Sequence, residues 1–214
     1  MHVAIIAKAP VAGRAKTRLC PPCTLDEAAE VAAAALVDTI EGVDGVDAID
    51  GGPPFRRVLL LDGAVPSLVP AHYDVAAQCV TGLAERLRNG FADLGPGVII
   101  GMETPHVAPL LGDALAALGR DVDVIGPAQD GGYWMIGLGP TSMNRLDAIF
   151  DGVPMSTGTT GSVQLQRLQA GGRPVEILAI ARDPDTYDDL RAVAGSGRAG
   201  RLPAVAATIV ARHS

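Results

Sequence analysis

The chain has 214 residues, of which 48% are apolar and 19% charged, so it can form a sizeable core and is not a largely disordered protein. No apolar run approaches the roughly 18 residues that a membrane-spanning helix needs, and the N-terminus lacks the basic stretch of an export signal. The formal charge of −7 argues against nucleic acid as a partner. We therefore expect a cytoplasmic protein, one domain over residues 1–214, that binds neither membranes nor nucleic acid.

Strands and helices are predicted to alternate along the chain. The predicted strands, in order, are 3–8, 57–62, 98–100, 121–126, 133–138 and 175–180. The predicted helices are 27–40, 78–91, 106–118, 160–169, 185–193 and 203–211. The early strands are continuous apolar runs, which is typical of strands buried on both faces. This pattern predicts an α/β fold with a mainly parallel sheet and helices on both faces.

Polar residues follow three of the predicted strands. The first strand ends at Lys8, the second at Asp62, and the third is followed by Glu103. Ligands of such sheets bind beyond the carboxyl ends of the strands, where these side chains would meet. We therefore expect the site at that edge of the sheet.

The segment after the first strand is a basic loop within a stretch, residues 1–25, that contains no acidic residue. Its cations are Lys8, Arg14, Lys16 and Arg18. It is not a P-loop, because Ala15 stands where the glycine before the lysine is required. With Gly13 to allow a tight turn, the loop could bind a diphosphate or triphosphate through side chains and backbone N–H groups. A solvated surface loop is the alternative.

Two acidic segments could hold a divalent ion, because carboxylates at strand ends bind Mg²⁺ or Mn²⁺ that bridges phosphate oxygens. Glu103 lies in the first segment, residues 101–105, after the third strand. The second segment, residues 183–190, contains Asp183 and Asp185. Helix capping is the alternative there, with Asp185 as the N-cap.

Asp130 and Gly131 also have two interpretations. Asp-Gly is a common two-residue turn between paired strands, and the segment lies between two predicted strands. The other interpretation, a role in catalysis or in placing the acceptor, depends on the family resemblance described below.

Three cysteines are too few for a disulfide framework. Cys20 and Cys23 have the spacing of a redox or zinc pair, and with His72 and Cys79 they could form a Cys₃His zinc site. Buried thiols without a metal are the favoured interpretation.

Four stretches together resemble the DUF2064 family of glycosyltransferase-A-like transferases and, more distantly, the phospholactate and molybdenum-cofactor guanylyltransferases. These stretches are residues 8–19, 101–105, 127–133 and 183–190. Two departures stand out. Glu103 occupies a position where the family usually has Asp, and Met155 precedes Ser156 and Thr157 where relatives tend to have Trp.

The resemblance implies a nucleotide-diphospho-sugar transferase fold, with a nucleotide or nucleotide-sugar donor and a small-molecule acceptor. It implies that the donor phosphates are held by Lys8, Gly13, Arg14, Lys16, Thr17 and Arg18. The implied ligands of Mg²⁺ or Mn²⁺ are Glu103, Asp183 and Asp185. The implied cleft or acceptor residues are Gly131, Gly132, Tyr133, Ser156 and Thr157, and the implied catalytic residues are Asp130 and Lys16.

Two reactions share this fold: nucleotidyl transfer from a nucleoside triphosphate and glycosyl transfer from a nucleotide sugar. Glycosyl transfer usually employs a paired Asp-x-Asp, which residues 101–103 do not provide. The basic loop favours nucleotidyl transfer to a small phosphorylated acceptor. A nucleotide-binding protein without catalysis is the third possibility, because of Glu103.

Overall fold

The computed structural model describes residues 1–46, 55–79, 82–182 and 184–213, and a seven-stranded sheet forms its centre. The strands are β1 (His2–Lys8), β2 (Arg56–Asp62), β3 (Asp74–Ala77), β4 (Gly97–Gly101), β5 (Asp123–Pro127), β6 (Tyr133–Leu138) and β7 (Val175–Ile177). Their order in the sheet is β3-β2-β1-β4-β6-β5-β7. Only β6 runs antiparallel to its neighbours, β4 and β5. The predicted mainly parallel sheet is confirmed.

Seven α-helices surround the sheet in the described ranges. They are α1 (Leu25–Gly45), α2 (Leu83–Leu94), α3 (Leu111–Gly119), α4 (Leu146–Phe150), α5 (Thr160–Gln169), α6 (Tyr187–Ala194) and α7 (Arg201–Arg212). The first begins at a capping box, in which Thr24 Oγ1 accepts from Glu27 N and Glu27 Oε2 accepts from Thr24 N. None of the described helices combines the length and apolar character needed to cross a lipid bilayer.

Both faces of the sheet are buried in aliphatic packing. Along β1, Val3 and Ile5 face a cluster that includes α1 and α3, whereas Ala4 faces a cluster that includes α2 and α4. In the second cluster the rings of Phe91 and Phe150 stack with centroids 5.9 Å apart. Because successive strand residues point to opposite faces, continuous apolar strands supply both clusters.

The region after β2 departs from the predicted structure. The edge strand β3 was not predicted, because its exposed residues carry no apolar pattern. The predicted helix start at Gln78 was wrong, and α2 begins at Leu83. The Gln78 side chain instead donates to the carbonyl oxygens of Ala7 and Leu60, at 2.7 and 2.8 Å. It therefore ties together the carboxyl ends of β1 and β2.

Other boundaries also differ from the predictions. The predicted helix 106–118 is a 3₁₀ segment, Pro105–Leu110, followed by α3. Pro109 lies in the 3₁₀ segment, and a proline has no N–H to donate to an α-helical hydrogen bond. Strand β5 begins at Asp123, since Asp121 has a φ of 56° that a strand does not accommodate. Strand β7 ends at Ile177 rather than at residue 180.

We predict that buried His2 makes the free energy of unfolding depend on pH. Its ring lies 5.9 Å from that of Phe91, and burial lowers the pKa of His2 from 6.5 to about 4. As the pH falls from 6.5 towards 4, the unfolded chain binds a proton that the native imidazole does not bind. The stability contributed by neutral His2 is therefore present above pH 6.5 and decreases by roughly 3 kcal/mol across this window.

The measurement is urea unfolding of wild type and His2→Leu at several pH values between 7 and 4. The difference between the two free energies should change across this window, because the variant lacks the imidazole. Parallel pH profiles for wild type and His2→Leu would contradict the prediction.

Candidate nucleotide and metal site

The carboxyl ends of β1 and β4 border a cleft of about 460 Å³. The parallel register places Lys8 opposite Asp62, and Ile6 opposite Gly101, so the segments that follow these strands meet at one edge. The sequence-predicted residues that line the cleft are Lys8, Arg14, Lys16, Thr17, Arg18, Glu103, Tyr133, Ser156 and Asp185. This cleft therefore lies at the edge of the sheet where we expected ligands to bind.

The Lys16 ammonium is the centre of this arrangement. Its Nζ lies 2.8 Å from Glu103 Oε2, 2.9 Å from Asp185 Oδ1 and 3.0 Å from the carbonyl oxygen of Pro184. An ammonium has three N–H donors, so these contacts account for all of them. The Lys16 side chain is only 3% exposed, whereas the two carboxylates are about one third exposed. Two loops distant in sequence are thus joined through one positive charge.

The charges of this triad stabilise one another. Burial by itself acts to lower the pKa of Lys16, but the carboxylates of Glu103 and Asp185 outweigh it and raise that pKa above its usual value. Burial likewise acts to raise the pKa of Asp185, and the charges of Lys16 and Arg18 outweigh it, so that pKa is lowered. Lys16 and Asp185 are therefore both charged at neutral pH.

The loop after β1 presents Lys16 through two turns of the backbone. Gly13 has a φ of 76°, in the region that glycine adopts most readily, and Arg14 N donates to Val11 O at 3.0 Å. Ala15 is 5% exposed and packs into the core, which anchors the loop. Lys16 follows with a φ of 51°, and its side chain enters the cleft rather than the solvent.

The remaining cations of the loop lie at the surface of the cleft. Arg18 Nη1 lies 3.1 Å from Asp185 Oδ2, and its side chain is 74% exposed. Arg14 Nη2 contacts Asp62 Oδ1 at 3.6 Å and is also exposed. Lys8 forms no ion pair with any residue that the structure describes. These three side chains can reorient towards an anionic ligand at little cost.

In the second acidic segment, residues 183–190, the N-cap of α6 differs from the residue suggested by the sequence. The N-cap of α6 is Thr186, whose Oγ1 accepts from Asp189 N, so the assignment of Asp185 as the cap was wrong. Asp189 Oδ2 in turn accepts from Thr186 N at 2.8 Å. Asp185 is consequently available to pair with Lys16. Asp183 lies outside the described residues.

Asp130 and Gly131 form the turn between β5 and β6. Asp130 Oδ1 accepts from Gly132 N at 2.8 Å, and Gly131 has a φ of 87°. A Cβ on Gly131 would collide with the carbonyl oxygen of Gly158. The cleft is bordered by Tyr133, but neither Asp130 nor the two glycines contribute to its lining.

In the segment before α5, one residue lines the cleft and the next forms part of a local turn. Ser156 lines the cleft, with a φ of 59°. Thr157 does not line it, and its N–H donates to Thr160 Oγ1 at 3.1 Å.

The cleft also contains three residues that the sequence analysis did not identify. Gln78 and Arg86 line it from the side of α2, and Arg86 Nη1 contacts Asp62 Oδ2 at 3.4 Å. Thr104 is 1% exposed, and its hydroxyl has no hydrogen-bond partner in the described part of the chain. Its position next to Glu103 was the only available signal.

The donor set fits a divalent cation. Glu103 and Asp185 each direct one oxygen at the same positive charge, and carboxylate oxygens are the ligands that Mg²⁺ and Mn²⁺ prefer. A metal ion and the Lys16 ammonium cannot occupy the same point. The carboxylates can therefore hold one cation or the other.

The fold is that of the nucleotide-diphospho-sugar transferases. A candidate nucleotide-diphospho-sugar transferase from Desulfovibrio desulfuricans G20 superposes with a TM-score of 0.82 at 23% identity, covering 96% of this chain and 94% of that one. Rv0371c from Mycobacterium tuberculosis H37Rv, in complex with manganese, gives a TM-score of 0.51 at 22% identity over 90% of this chain and 97% of its own. CMP:2-keto-3-deoxy-manno-octonic acid synthetase with CTP gives 0.51 at 11% identity, covering 90% and 95%.

Residues 53–157 match the model of the family described as "Uncharacterized protein conserved in bacteria (DUF2064)". This match confirms the resemblance to that family, and it includes two of the four stretches, residues 101–105 and 127–133. A search of curated proteins found no match.

We predict that Lys16→Met lowers stability and increases the effect of a divalent ion. Without the ammonium, Glu103 loses its cation and Asp185 keeps only the exposed Arg18. The loss should cost about 1–3 kcal/mol, because both carboxylates are partly hydrated. Mn²⁺ should therefore raise the melting temperature of Lys16→Met more than that of wild type. Arg18→Met, which removes an exposed cation from the same Asp185, is the control. Equal Mn²⁺ shifts in wild type and Lys16→Met would show that the ammonium and the ion do not share this position.

We predict that Asp130→Asn unfolds with a free energy within about 0.5 kcal/mol of wild type, because Asn accepts the same turn hydrogen bond. Asp130→Ala should lose about 1 kcal/mol with that bond. Urea unfolding of the three proteins measures both effects. A loss in Asp130→Asn as large as that in Asp130→Ala would mean that the charge, rather than the turn geometry, stabilises this segment.

Proposed function

We propose that the chain is a metal-dependent transferase whose reaction is nucleotidyl transfer from a nucleoside triphosphate to a small phosphorylated acceptor. The observation that carries this proposal is the convergence of Glu103 and Asp185 on one cation inside a cleft with exposed arginines at its surface. Carboxylates beside cations in one cleft suit a ligand that arrives with both phosphate and metal.

The cleft has the size and charge that a nucleotide requires. Its volume of about 460 Å³ falls within the usual range of small-molecule sites, roughly 300–1,000 Å³. Arg14 and Arg18 can form charge-assisted hydrogen bonds to phosphate oxygens, and Lys8 provides a third cation. The fold is shared with a protein whose structure contains CTP and with one whose structure contains manganese, which supports a nucleotide and a metal as ligands.

In the proposed reaction, a phosphate oxygen of the acceptor attacks the α-phosphorus of the triphosphate. The bond from that phosphorus to the bridging oxygen breaks, and pyrophosphate leaves with the electron pair. A Mg²⁺ or Mn²⁺ ion held by Glu103 and Asp185, with Asp183 as the third ligand that the family resemblance implies, would stabilise the charge on the phosphate oxygens. Arg14 and Arg18 would neutralise the departing pyrophosphate, and Lys16 would donate to a phosphate oxygen once the carboxylates no longer hold it.

Glycosyl transfer from a nucleotide sugar is the second candidate. The observation in its favour is the similarity to the Desulfovibrio candidate nucleotide-diphospho-sugar transferase over nearly the whole of both chains. The released product separates the two reactions. Nucleotidyl transfer releases pyrophosphate from a nucleoside triphosphate, whereas glycosyl transfer releases a nucleoside diphosphate from a nucleotide sugar.

We predict that Glu103→Gln and Asp185→Asn each weaken Mg²⁺-dependent nucleotide binding at least tenfold, and that the double variant is little worse than either one. Two ligands of one ion act as a unit, so their losses should not add. The measurement is the dissociation constant of a nucleoside triphosphate panel, by isothermal titration calorimetry at several Mg²⁺ concentrations. Asp188→Asn, at an exposed acid of the same segment, is the matched control. Additive losses, or a Mg²⁺ dependence that survives in the double variant, would contradict a shared metal.

A further inference from the structure

A second group of metal-ligating side chains lies outside the cleft, at the junction of α1 and α7. It consists of Cys23, Glu27 and His213, and one ligand atom from each lies within 4.8 Å of the other two. We propose that these three residues bind a Zn²⁺-like ion, at a site separate from the Mg²⁺ or Mn²⁺ site of the cleft. None of the three lines the cleft.

The position of Glu27 is fixed by local structure. It is the third residue of α1, and its Oε2 accepts from Thr24 N at 2.9 Å in the capping box. The His213 Nε2 lies 2.9 Å from the same oxygen, and Arg212 Nη1 lies 3.5 Å from Glu27 Oε1. The carboxylate therefore faces the end of α7, with His213 at Oε2 and Arg212 at Oε1.

The Cys23 thiol completes the group from the loop before α1. Cys23 is 4% exposed, and its backbone N donates to Leu19 O at 3.1 Å, which holds its position in the loop. The neighbouring core cluster packs α1 against α6 and α7 around it. The thiol thus lies inside the protein beside a carboxylate and an imidazole.

The types of ligand determine the kind of ion. A tetrahedral zinc ion has Zn–S bonds of about 2.3 Å and Zn–N or Zn–O bonds of about 2.0–2.1 Å, so its ligand atoms lie roughly 3.3–3.6 Å apart. The observed separations, 2.9 Å for Glu27 and His213 and up to 4.8 Å within the group, come within reach of this geometry by side-chain movements of about an ångström. Mg²⁺ prefers oxygen ligands alone, whereas thiolate and imidazole select zinc and similar ions.

The structure replaces the zinc ligand set that the cysteine spacing suggested. His72 Nε2 contacts Asp44 Oδ1 at 3.1 Å, and Asn89 Nδ2 donates to Cys79 Sγ at 3.3 Å, so neither residue joins Cys23. The Cys20 Sγ lies 3.3 Å from Thr24 O in the loop that also carries Cys23. Cys20 is therefore not in the group, and a water molecule would supply the fourth ligand of the ion.

An ion at this position would tie the basic loop to the end of α7. Cys23 and Glu27 end the segment that begins at Lys8, and His213 follows the last turn of α7. The ion would therefore fix the far end of the loop that carries Lys16, without contacting the nucleotide. The proposed zinc ion would thus have a structural role. Its binding can be tested without knowledge of the substrate.

The test is a titration of reduced, chelator-treated full-length protein with Co²⁺, which reports cysteine ligation through a thiolate-to-cobalt charge-transfer band in the near ultraviolet. We expect one equivalent to give this band, Zn²⁺ to abolish it by displacement, and excess Mg²⁺ to leave it unchanged. Cys23→Ser should lose the band, and Cys79→Ser, the matched cysteine control, should keep it. His213→Ala, at the exposed end of the group, should weaken Co²⁺ binding at least tenfold.

A band that persists in Cys23→Ser, or Co²⁺ affinity unchanged in His213→Ala, would overturn the proposal. Absence of the band in wild type would overturn it as well. If Cys23→Ser does not fold, as circular dichroism would show, His213→Ala decides the question alone, because His213 lies after the last turn of α7. All of these results are independent of nucleotide binding, so this site and the proposed reaction can fail separately.

Discussion

The pairing of one buried ammonium with two carboxylates holds the cleft together. Lys16 comes from the loop after β1, Glu103 follows β4, and Asp185 precedes α6, so one ammonium joins three segments. Without the positive charge, two negative charges would face each other in a partly dehydrated cleft, and repulsion would separate the loops. Lys16 therefore stabilises the acidic segment at the sheet edge.

A buried charge cluster is a poor way to stabilise a protein. Replacing a buried ion pair with well-packed apolar side chains is often neutral or stabilising, because burying the charges removes their hydration. In this chain the cluster of Lys16, Glu103 and Asp185 lies at the carboxyl edge of the sheet. It is next to exposed arginines and the buried hydroxyl of Thr104. Charged groups at such an edge are typical of a functional site. In the proposed transfer reaction, a charged ligand would replace some of the contacts between Lys16 and the two carboxylates.

The two proposed metal sites differ in chemistry and lie at opposite ends of one loop. In the cleft, carboxylates offer only oxygen to a cation, which suits Mg²⁺ or Mn²⁺. At the start of α1, Cys23, Glu27 and His213 offer sulfur, oxygen and nitrogen. The ligand types would therefore direct Mg²⁺ or Mn²⁺ to the cleft, where it would serve the proposed reaction, and a zinc-like ion to the start of α1, where it would fix the loop.

The sequence by itself determined the features that depend on neighbouring residues. Continuous apolar strands predicted a parallel sheet buried on both faces, and the predicted helix 27–40 lies within α1. The sheet edge that carries the site followed from where the strands end. Each of these depends on local periodicity or on spacings of a few residues.

Only the tertiary structure decided which side chains meet. The partner of Lys16 lies 169 positions away at Asp185, and that of Glu27 lies 186 positions away at His213. Asp185 also satisfied the usual preferences of a helix cap, but Thr186 took that role and left the carboxylate to Lys16. Residue type indicates what a side chain can bind, whereas the partner that it reaches depends on how the loops are placed by the packed helices and strands beneath them.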